Sequence, residues 1–157
     1  MAGEYVGKII LLRGPAGAGK STIGALVTQS APIHVEDVDL EKHKISPESS
    51  HSRTSKAHEI CMQRVEETAG PVLVEEIFRD AQVELWKDRF GDLVETVFLN
   101  LDVEEAIKRN NARDKVKDEH TIRDLHAMLS PYECELVLDA TVSPEVNAEK
   151  LINLFRA

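Results

Sequence analysis

The sequence predicts an α/β fold in which a parallel β-sheet carries helices on both faces. Apolar segments alternate with amphipathic segments along the chain, which is typical of such sheets. A buried-strand pattern at residues 8–13 (KIILLR) also runs directly into a glycine-rich loop, and a helical pattern follows that loop. With 157 residues, of which 42% are hydrophobic, the chain is long enough to form one domain with its own core.

The remaining elements are predicted from local patterns. Short apolar runs predict strands at residues 8–13, 32–36, 72–76, 94–101 and 135–138. Apolar residues at helical spacing predict helices at residues 20–29, 54–68, 81–89, 103–113, 122–129 and 144–155. A capping-box pattern between Thr121 and Asp124 marks the expected start of the fifth of these helices.

Residues 14–21 (GPAGAGKS) match the phosphate-binding loop G-x-x-x-x-G-K-[ST] without a mismatch. The glycines let backbone N–H groups approach phosphate oxygens, and the following helix directs its positive end at them. Lys20 is expected to reach the β and γ phosphates, and the Ser21 hydroxyl to bind Mg²⁺. The motif therefore predicts a site for a nucleoside triphosphate with magnesium. The predicted ATP-binding residues are Gly14, Pro15, Ala16, Gly17, Ala18, Gly19, Lys20, Ser21, Thr22 and Arg109.

Carboxylates follow two of the predicted strands. Asp37 and Asp39 end the second strand, and in extended chain residues two apart share a face, so both are expected at the ligand-binding edge of the sheet. One acid to receive a hydroxyl proton and one to hold magnesium waters would suit phosphoryl transfer, although a solvated turn or a helix cap by Asp39 is the alternative. Glu75 and Glu76 end the third strand, and either can serve the metal. Alternation from Val72 and Val74 favours Glu76.

Arginines supply the predicted cationic groups. Arg109 and Arg113 lie one helical turn apart, where they can stack on adenine and reach the transferring phosphate, so Arg113 is a predicted catalytic residue alongside Lys20. An ion pair with Glu105 or Asp102 is the simpler interpretation of Arg109. Arg53 is the best candidate for an anionic group on the acceptor.

Two polar connections, residues 39–53 and 114–120, are predicted to be mobile loops. They suggest an acceptor-side flap at about residues 40–69 and a lid at about residues 109–121, which would exclude water during transfer. The whole chain, residues 1–157, is expected to form one domain.

These motifs, together with LVLDA at residues 136–140 before a helix start at Ser143, resemble the small P-loop kinases. The similarity is to shikimate kinase, polynucleotide 5′-hydroxyl kinase and chloramphenicol phosphotransferase, and more broadly to AAA-like ATP-binding kinase domains. It implies the three-layer P-loop nucleoside triphosphate hydrolase fold, a five-stranded sheet in order 2-3-1-4-5, ATP and Mg²⁺. It also implies that Asp39 activates the acceptor hydroxyl and that Asp37 lies on the magnesium side. Shikimate kinases have three glycines where this chain has Glu75, Glu76 and Ile77, so shikimate is disfavoured as the acceptor.

The net charge of −9 argues against binding of long nucleic acid, because such binding depends on Lys and Arg. The expected acceptor is a small molecule or nucleotide, with a polynucleotide 5′ end as the alternative. No segment resembles a membrane span or a targeting signal, so a cytoplasmic protein is expected. A non-catalytic nucleotide-binding or switch protein is the further alternative, although no N-K-x-D base-reading motif is present. The sequence does not indicate an oligomeric state.

Overall fold

The computed structural model describes residues 5–112, 118–129 and 134–156. Its five parallel strands form one sheet in the order β2-β3-β1-β4-β5, which confirms the predicted fold class and strand order. The strands are β1 (Ile9–Arg13), β2 (His34–Asp37), β3 (Val72–Glu75), β4 (Val94–Asn100) and β5 (Leu136–Asp139). Each lies within a residue or two of its predicted position.

Seven α-helices cover the sheet in the described ranges. They are α1 (Lys20–Ser30), α2 (Val38–Ile45), α3 (His51–Glu66), α4 (Asp80–Phe90), α5 (Val103–Asn111), α6 (Glu119–Ala127) and α7 (Pro144–Leu154), with a short 3₁₀ helix at Gly91–Leu93. None of the helices in these ranges has the length and apolar character needed to cross a membrane.

The prediction of a loop at residues 39–53 is wrong, because α2 occupies its first half and α3 begins three residues earlier than expected. Asp37 caps α2, and its Oδ1 accepts a hydrogen bond from the Leu40 N–H at 3.1 Å. The Ser50 hydroxyl caps α3 in the same way, by accepting from the Arg53 N–H. The segment that was predicted as an acceptor-side flap is therefore largely helical.

The predicted start of α6 is also wrong. This helix begins at Glu119 with Asp118 as its N-cap, so Thr121 lies inside it and does not cap it. Residues 113–117 lie outside the described residues, and with them the centre of the predicted lid.

The sheet divides the core into two layers. On one face Ile10, Leu12 and Leu73 pack with buried residues of α1, α5, α6 and α7. On the other face Ile9 and Leu11 pack with buried residues of α2, α3 and α4. Since β3 pairs with both β1 and β2, its last residue, Glu75, lies beside Asp37, and the strand ends meet the loop after β1 at one edge.

Candidate active site

The phosphate loop lies between β1 and α1, where the motif predicted it. Gly19 takes a φ of 98° immediately before α1, a conformation that favours glycine. A side chain at Gly14 would collide with the Leu99 carbonyl oxygen of β4, so that position also requires glycine. The first turn of α1 has neither an acidic residue nor a side-chain cap, and its positive end remains available for an anion.

Lys20 lies within its own loop, where its Nζ donates hydrogen bonds to the carbonyl oxygens of Gly14 at 2.8 Å and Pro15 at 2.9 Å. These contacts hold the ammonium group over the loop, beside the positive end of α1. The group is thus placed where the motif requires a cation for phosphate.

A cavity of about 390 Å³, which we call the central cavity, contains most of the predicted site residues. Its walls bring the phosphate loop together with four carboxylates. The lining residues are Ala16, Gly17, Gly19, Lys20, Ser21, Thr22, Asp37, Asp39, Glu75, Glu76, Ile77 and Arg109. The cavity therefore combines the cationic loop with acids from the ends of β2 and β3.

Glu75 lies on the phosphate-loop side of the cavity. The Ser21 hydroxyl donates a 2.8 Å hydrogen bond to Glu75 Oε1, and the other carboxylate oxygen lies against Gly24, where a Cβ would collide with it. The pKa of Glu75 is raised from an ordinary 4.5 to about 7, mainly by burial and also by the Asp37 charge, while the Ser21 hydrogen bond opposes the rise. The carboxyl thus has a pKa close to neutral.

Glu76 lies on the opposite side of β3. Its Oε2 is 2.5 Å from Lys42 Nζ and 3.8 Å from His58 Nε2. Burial also raises the pKa of Glu76, as does the charge of Asp39. The sequence favoured Glu76 for the metal, but in the structure Glu75 contacts Ser21. Glu76 does lie on the same face of β3 as Val72 and Val74, as alternation predicted. However, α1 and its Ser21 lie on the opposite face, which is the face of Glu75.

Asp37 and Asp39 line the central cavity together, but not for the reason the sequence suggested. Asp37 ends β2, whereas Asp39 belongs to the first turn of α2, so the two do not share a strand face. Lys42 Nζ lies 3.4 Å from Asp39 Oδ1 as well as 2.5 Å from Glu76. The ammonium group therefore holds Asp39 and Glu76 on one side of the cavity.

A buried histidine lies beneath this group. His58 Nδ1 accepts a 3.0 Å hydrogen bond from Trp86 Nε1–H, which leaves the proton of the neutral ring on Nε2, toward Glu76. Burial and, to a smaller extent, the nearby Lys42 charge lower the pKa of His58 to about 4, while the Asp39 charge opposes this shift. The ring is thus neutral at physiological pH.

Arg109 crosses from α5 to the phosphate loop. It donates hydrogen bonds to the Gly17 carbonyl at 3.2 Å and the Ala140 carbonyl at 2.9 Å, and its Nε lies 3.6 Å from Glu105. The simpler ion pair with Glu105 is therefore present, and Arg109 also contacts the phosphate loop; its binding to ATP stays a prediction. Arg113, the predicted catalytic arginine, lies outside the described residues.

Two further cavities adjoin the central one. The α3-side cavity, of about 520 Å³, shares Asp39, Glu76 and Ile77 with it and also contains Arg53. The α7-side cavity, of about 410 Å³, shares Gly17, Gly19, Thr22 and Arg109 with it and extends to the turn between β5 and α7. The three spaces thus form a row with the phosphate loop in the middle.

Arg13 holds the loop that follows β3. This fully buried side chain at the end of β1 donates two hydrogen bonds to the Phe78 carbonyl, at 3.0 and 2.6 Å, and one to Asp80 at 3.1 Å. Phe78 has a φ of 52°, which is unusual for a residue with a side chain, and its carbonyl direction depends on that conformation. Arg13 therefore positions the loop that follows Glu76.

Sequence reasoning missed Lys42 and Arg79, both of which line the α3-side cavity. Lys42 follows Asp39 by three residues, a spacing that would have placed both on one face had α2 been predicted. Arg79 lies at the start of α4 and had no distinguishing signal.

Oxygen atoms that can bind a metal line the central cavity near Ser21. Magnesium prefers such ligands, and a hydroxyl with neighbouring carboxylates of Glu75 and Asp37 provides a suitable set. These residues fit the ion that the motif implies.

The comparisons with known proteins agree with this fold. The family model described as "AAA domain" matches residues 10–128. The comparison with curated proteins finds no match. Among solved structures, the APS kinase of Mycobacterium tuberculosis, in complex with AMPPNP and APS, is similar with a TM-score of 0.73 and 18% identity, over 96% of this chain and 98% of that one.

Two other kinases have the same fold. The gluconokinase of Sinorhizobium meliloti 1021 gives a TM-score of 0.72 at 13% identity, over 96% of both chains. The shikimate kinase of Acinetobacter baumannii, in complex with shikimate, gives 0.68 at 19% identity, over 94% of this chain and 92% of that one. The predicted resemblance is confirmed at the level of the fold. The chain belongs to the AAA domain family and has the fold of the small P-loop kinases.

Proposed function

We propose that this protein is an ATP-dependent kinase that transfers the γ-phosphoryl group of ATP to a hydroxyl group of a small molecule or nucleotide. The observation that carries the proposal is the row of three cavities, with the phosphate loop in the centre and acids where the central and α3-side cavities meet. The triphosphate would bind in the central cavity, the nucleoside in the α7-side cavity and the acceptor in the α3-side cavity.

Asp39 lies where the acceptor hydroxyl would meet the γ-phosphate. In the proposed reaction the hydroxyl oxygen bonds to phosphorus as the bond to the β-phosphate oxygen breaks, and the carboxylate of Asp39 takes the hydroxyl proton. Lys42 restrains this carboxylate from one side. Lys20 and the N–H groups of the loop stabilise the charge on the phosphates.

Ser21, Asp37 and Glu75 would hold magnesium, with Glu75 in place of the Glu76 that the sequence favoured. When bound, the ion neutralises charge on the β and γ phosphates. Gly24 leaves the space in which the Glu75 carboxylate reaches Ser21.

The α3-side cavity favours an acceptor that carries a negative group. Arg53 and Arg79 line it, and in the described ranges neither forms an ion pair with a carboxylate. Other arginines of the described ranges do pair with acids, among them Arg13, Arg64, Arg89, Arg109 and Arg123. The cavity also adjoins the N-terminal ends of α3 and α4, whose dipoles favour anions.

Phosphate transfer from γ-labelled ATP to a panel of alcohols tests the proposal. The panel would contain sugars, sugar acids, aminocyclitols, nucleosides, nucleotides and oligonucleotide 5′ ends, and Lys20→Ala would serve as the inactive control. A labelled product from one acceptor class supports the proposal. Slow hydrolysis at the same rate with every acceptor would refute it.

The anionic group can be tested with the same assay. Each acidic acceptor would be compared with its neutral amide or ester. Arg79→Gln should raise KM for the acidic member about tenfold, whereas Lys56→Gln removes an exposed positive charge outside the cavity and should not. Equal KM values for both members of each pair would contradict this assignment.

A further inference from the structure

One buried amide in the α7-side cavity has an unused hydrogen-bonding atom. Asn147, in the second turn of α7, is 1% exposed and lines this cavity. Its Oδ1 has no hydrogen-bond partner among the described residues. A buried acceptor without a partner costs stability, so such an atom in a cavity wall points to a ligand that supplies a donor.

The orientation of this amide is determined by its other atom. Asn147 Nδ2 donates a 2.9 Å hydrogen bond to the carbonyl oxygen of Asp139, at the end of β5. A carbonyl oxygen only accepts, so the atom that faces it must be the nitrogen. Rotating the amide would place two oxygens together, and Oδ1 is therefore the atom that is left without a partner in the wall of the cavity.

The cavity around Asn147 suits a flat heterocycle. Apolar side chains form much of its wall: Ala18, Ile23, Ala140, Val142 and Pro144. Arg109 closes the side next to the phosphate loop, where its guanidinium plane can lie against a ring. The cavity adjoins the end of the phosphate loop away from the α3-side cavity, which is where the nucleoside of a bound triphosphate would extend.

We propose that Asn147 is a base-specificity residue that selects a purine with a 6-amino group. The inference rests on the proposed binding of a nucleoside triphosphate at the phosphate loop. The 6-amino group of adenine donates to Asn147 Oδ1 and satisfies it. The 6-oxo group of guanine would instead bring a second acceptor to the same point, which disfavours binding.

Binding of three magnesium nucleotides, measured by calorimetry, tests this role without knowledge of the acceptor. They are ATP, GTP and the triphosphate of purine riboside, which lacks the 6-amino group. The wild-type protein should bind ATP about tenfold more tightly than the purine riboside triphosphate. In Asn147→Ala that ratio should fall to about one, because the acceptor for the amine is gone.

The ratio within each variant separates base recognition from structural damage, since loss of the Asp139 bond weakens both nucleotides equally. Asn153→Ala, at an exposed position of the same helix, should keep the wild-type ratio. An unchanged ratio in Asn147→Ala would overturn the inference while ATP binding stands. Failure of all three nucleotides to bind the wild-type protein would overturn the proposed function as well.

Discussion

The carboxyl of Glu75 gives the sharpest test of the site, because its protonation is linked to folding. We expect Glu75→Gln to change the pH dependence of the free energy of unfolding. The pKa of this carboxyl is about 7 in the folded protein against an ordinary 4.5, so the folded state binds more protons between these values. Stability contributed by the protonated group is complete below pH 4.5 and is lost as pH rises through 7. At about 1.4 kcal/mol per pH unit, the change from pH 4.5 to pH 7 lowers the free energy of unfolding by about 3 kcal/mol.

Urea unfolding of both proteins at intervals from pH 5 to pH 8 measures the effect. Over this range the free energy of unfolding of Glu75→Gln should rise relative to that of the wild type by up to about 3 kcal/mol, since glutamine has no proton to lose. The pKa of His58 is lowered to about 4, so this residue makes the free energy of unfolding rise with pH below pH 6.5. It does so equally in both proteins and does not affect their difference. For Glu149→Gln, at an exposed position, the free energy of unfolding should depend on pH as it does in the wild type. Parallel curves for Glu75→Gln would refute the described environment of this carboxyl.

The remaining predictions concern the loop and its neighbours. Lys20→Ala should reduce phosphoryl transfer at least about 100-fold in the labelled-ATP assay, and unchanged turnover would contradict the loop assignment. Asp39→Asn should lower kcat by about 10² to 10⁴ with little change in ATP affinity, whereas an equal loss of ATP binding would indicate a metal or structural role. Gly24→Ala should lower the free energy of unfolding by about 1 to 3 kcal/mol, because its methyl group takes the space of the Glu75 carboxylate; urea unfolding that matches wild type would exclude this contact.

The sequence predicted the strands and the phosphate loop because their signals are local. An apolar run followed by glycines and Lys20 specifies a strand, a tight loop and a helix within a few residues. The strand order came from the resemblance, since no local pattern encodes it. The helix α2 was missed because only Val38 and Glu41 are buried in it, so it lacks an apolar periodicity.

The candidate site was predictable in its components but not in its arrangement. Alternation along β3 shows that Glu75 and Glu76 point to opposite faces, but it does not show which face α1 covers. That choice depends on the handedness and order of the connections, which are properties of the whole chain. Asn147 was not identified because a polar residue in a helical pattern gives no sign of the atom it leaves unpaired.

Arg13 has a consequence for motion in this protein. Its guanidinium group joins the end of β1, at the phosphate loop, to Phe78 and Asp80, and so ties the loop after β3 to the phosphate loop. If the proposed kinase closes around its acceptor, the movement would then involve segments outside this anchor, such as α2 and α3. The hinge for such a movement would lie at Asp37, between β2 and α2. Asp37 would then both bind the magnesium ion and act as the hinge residue.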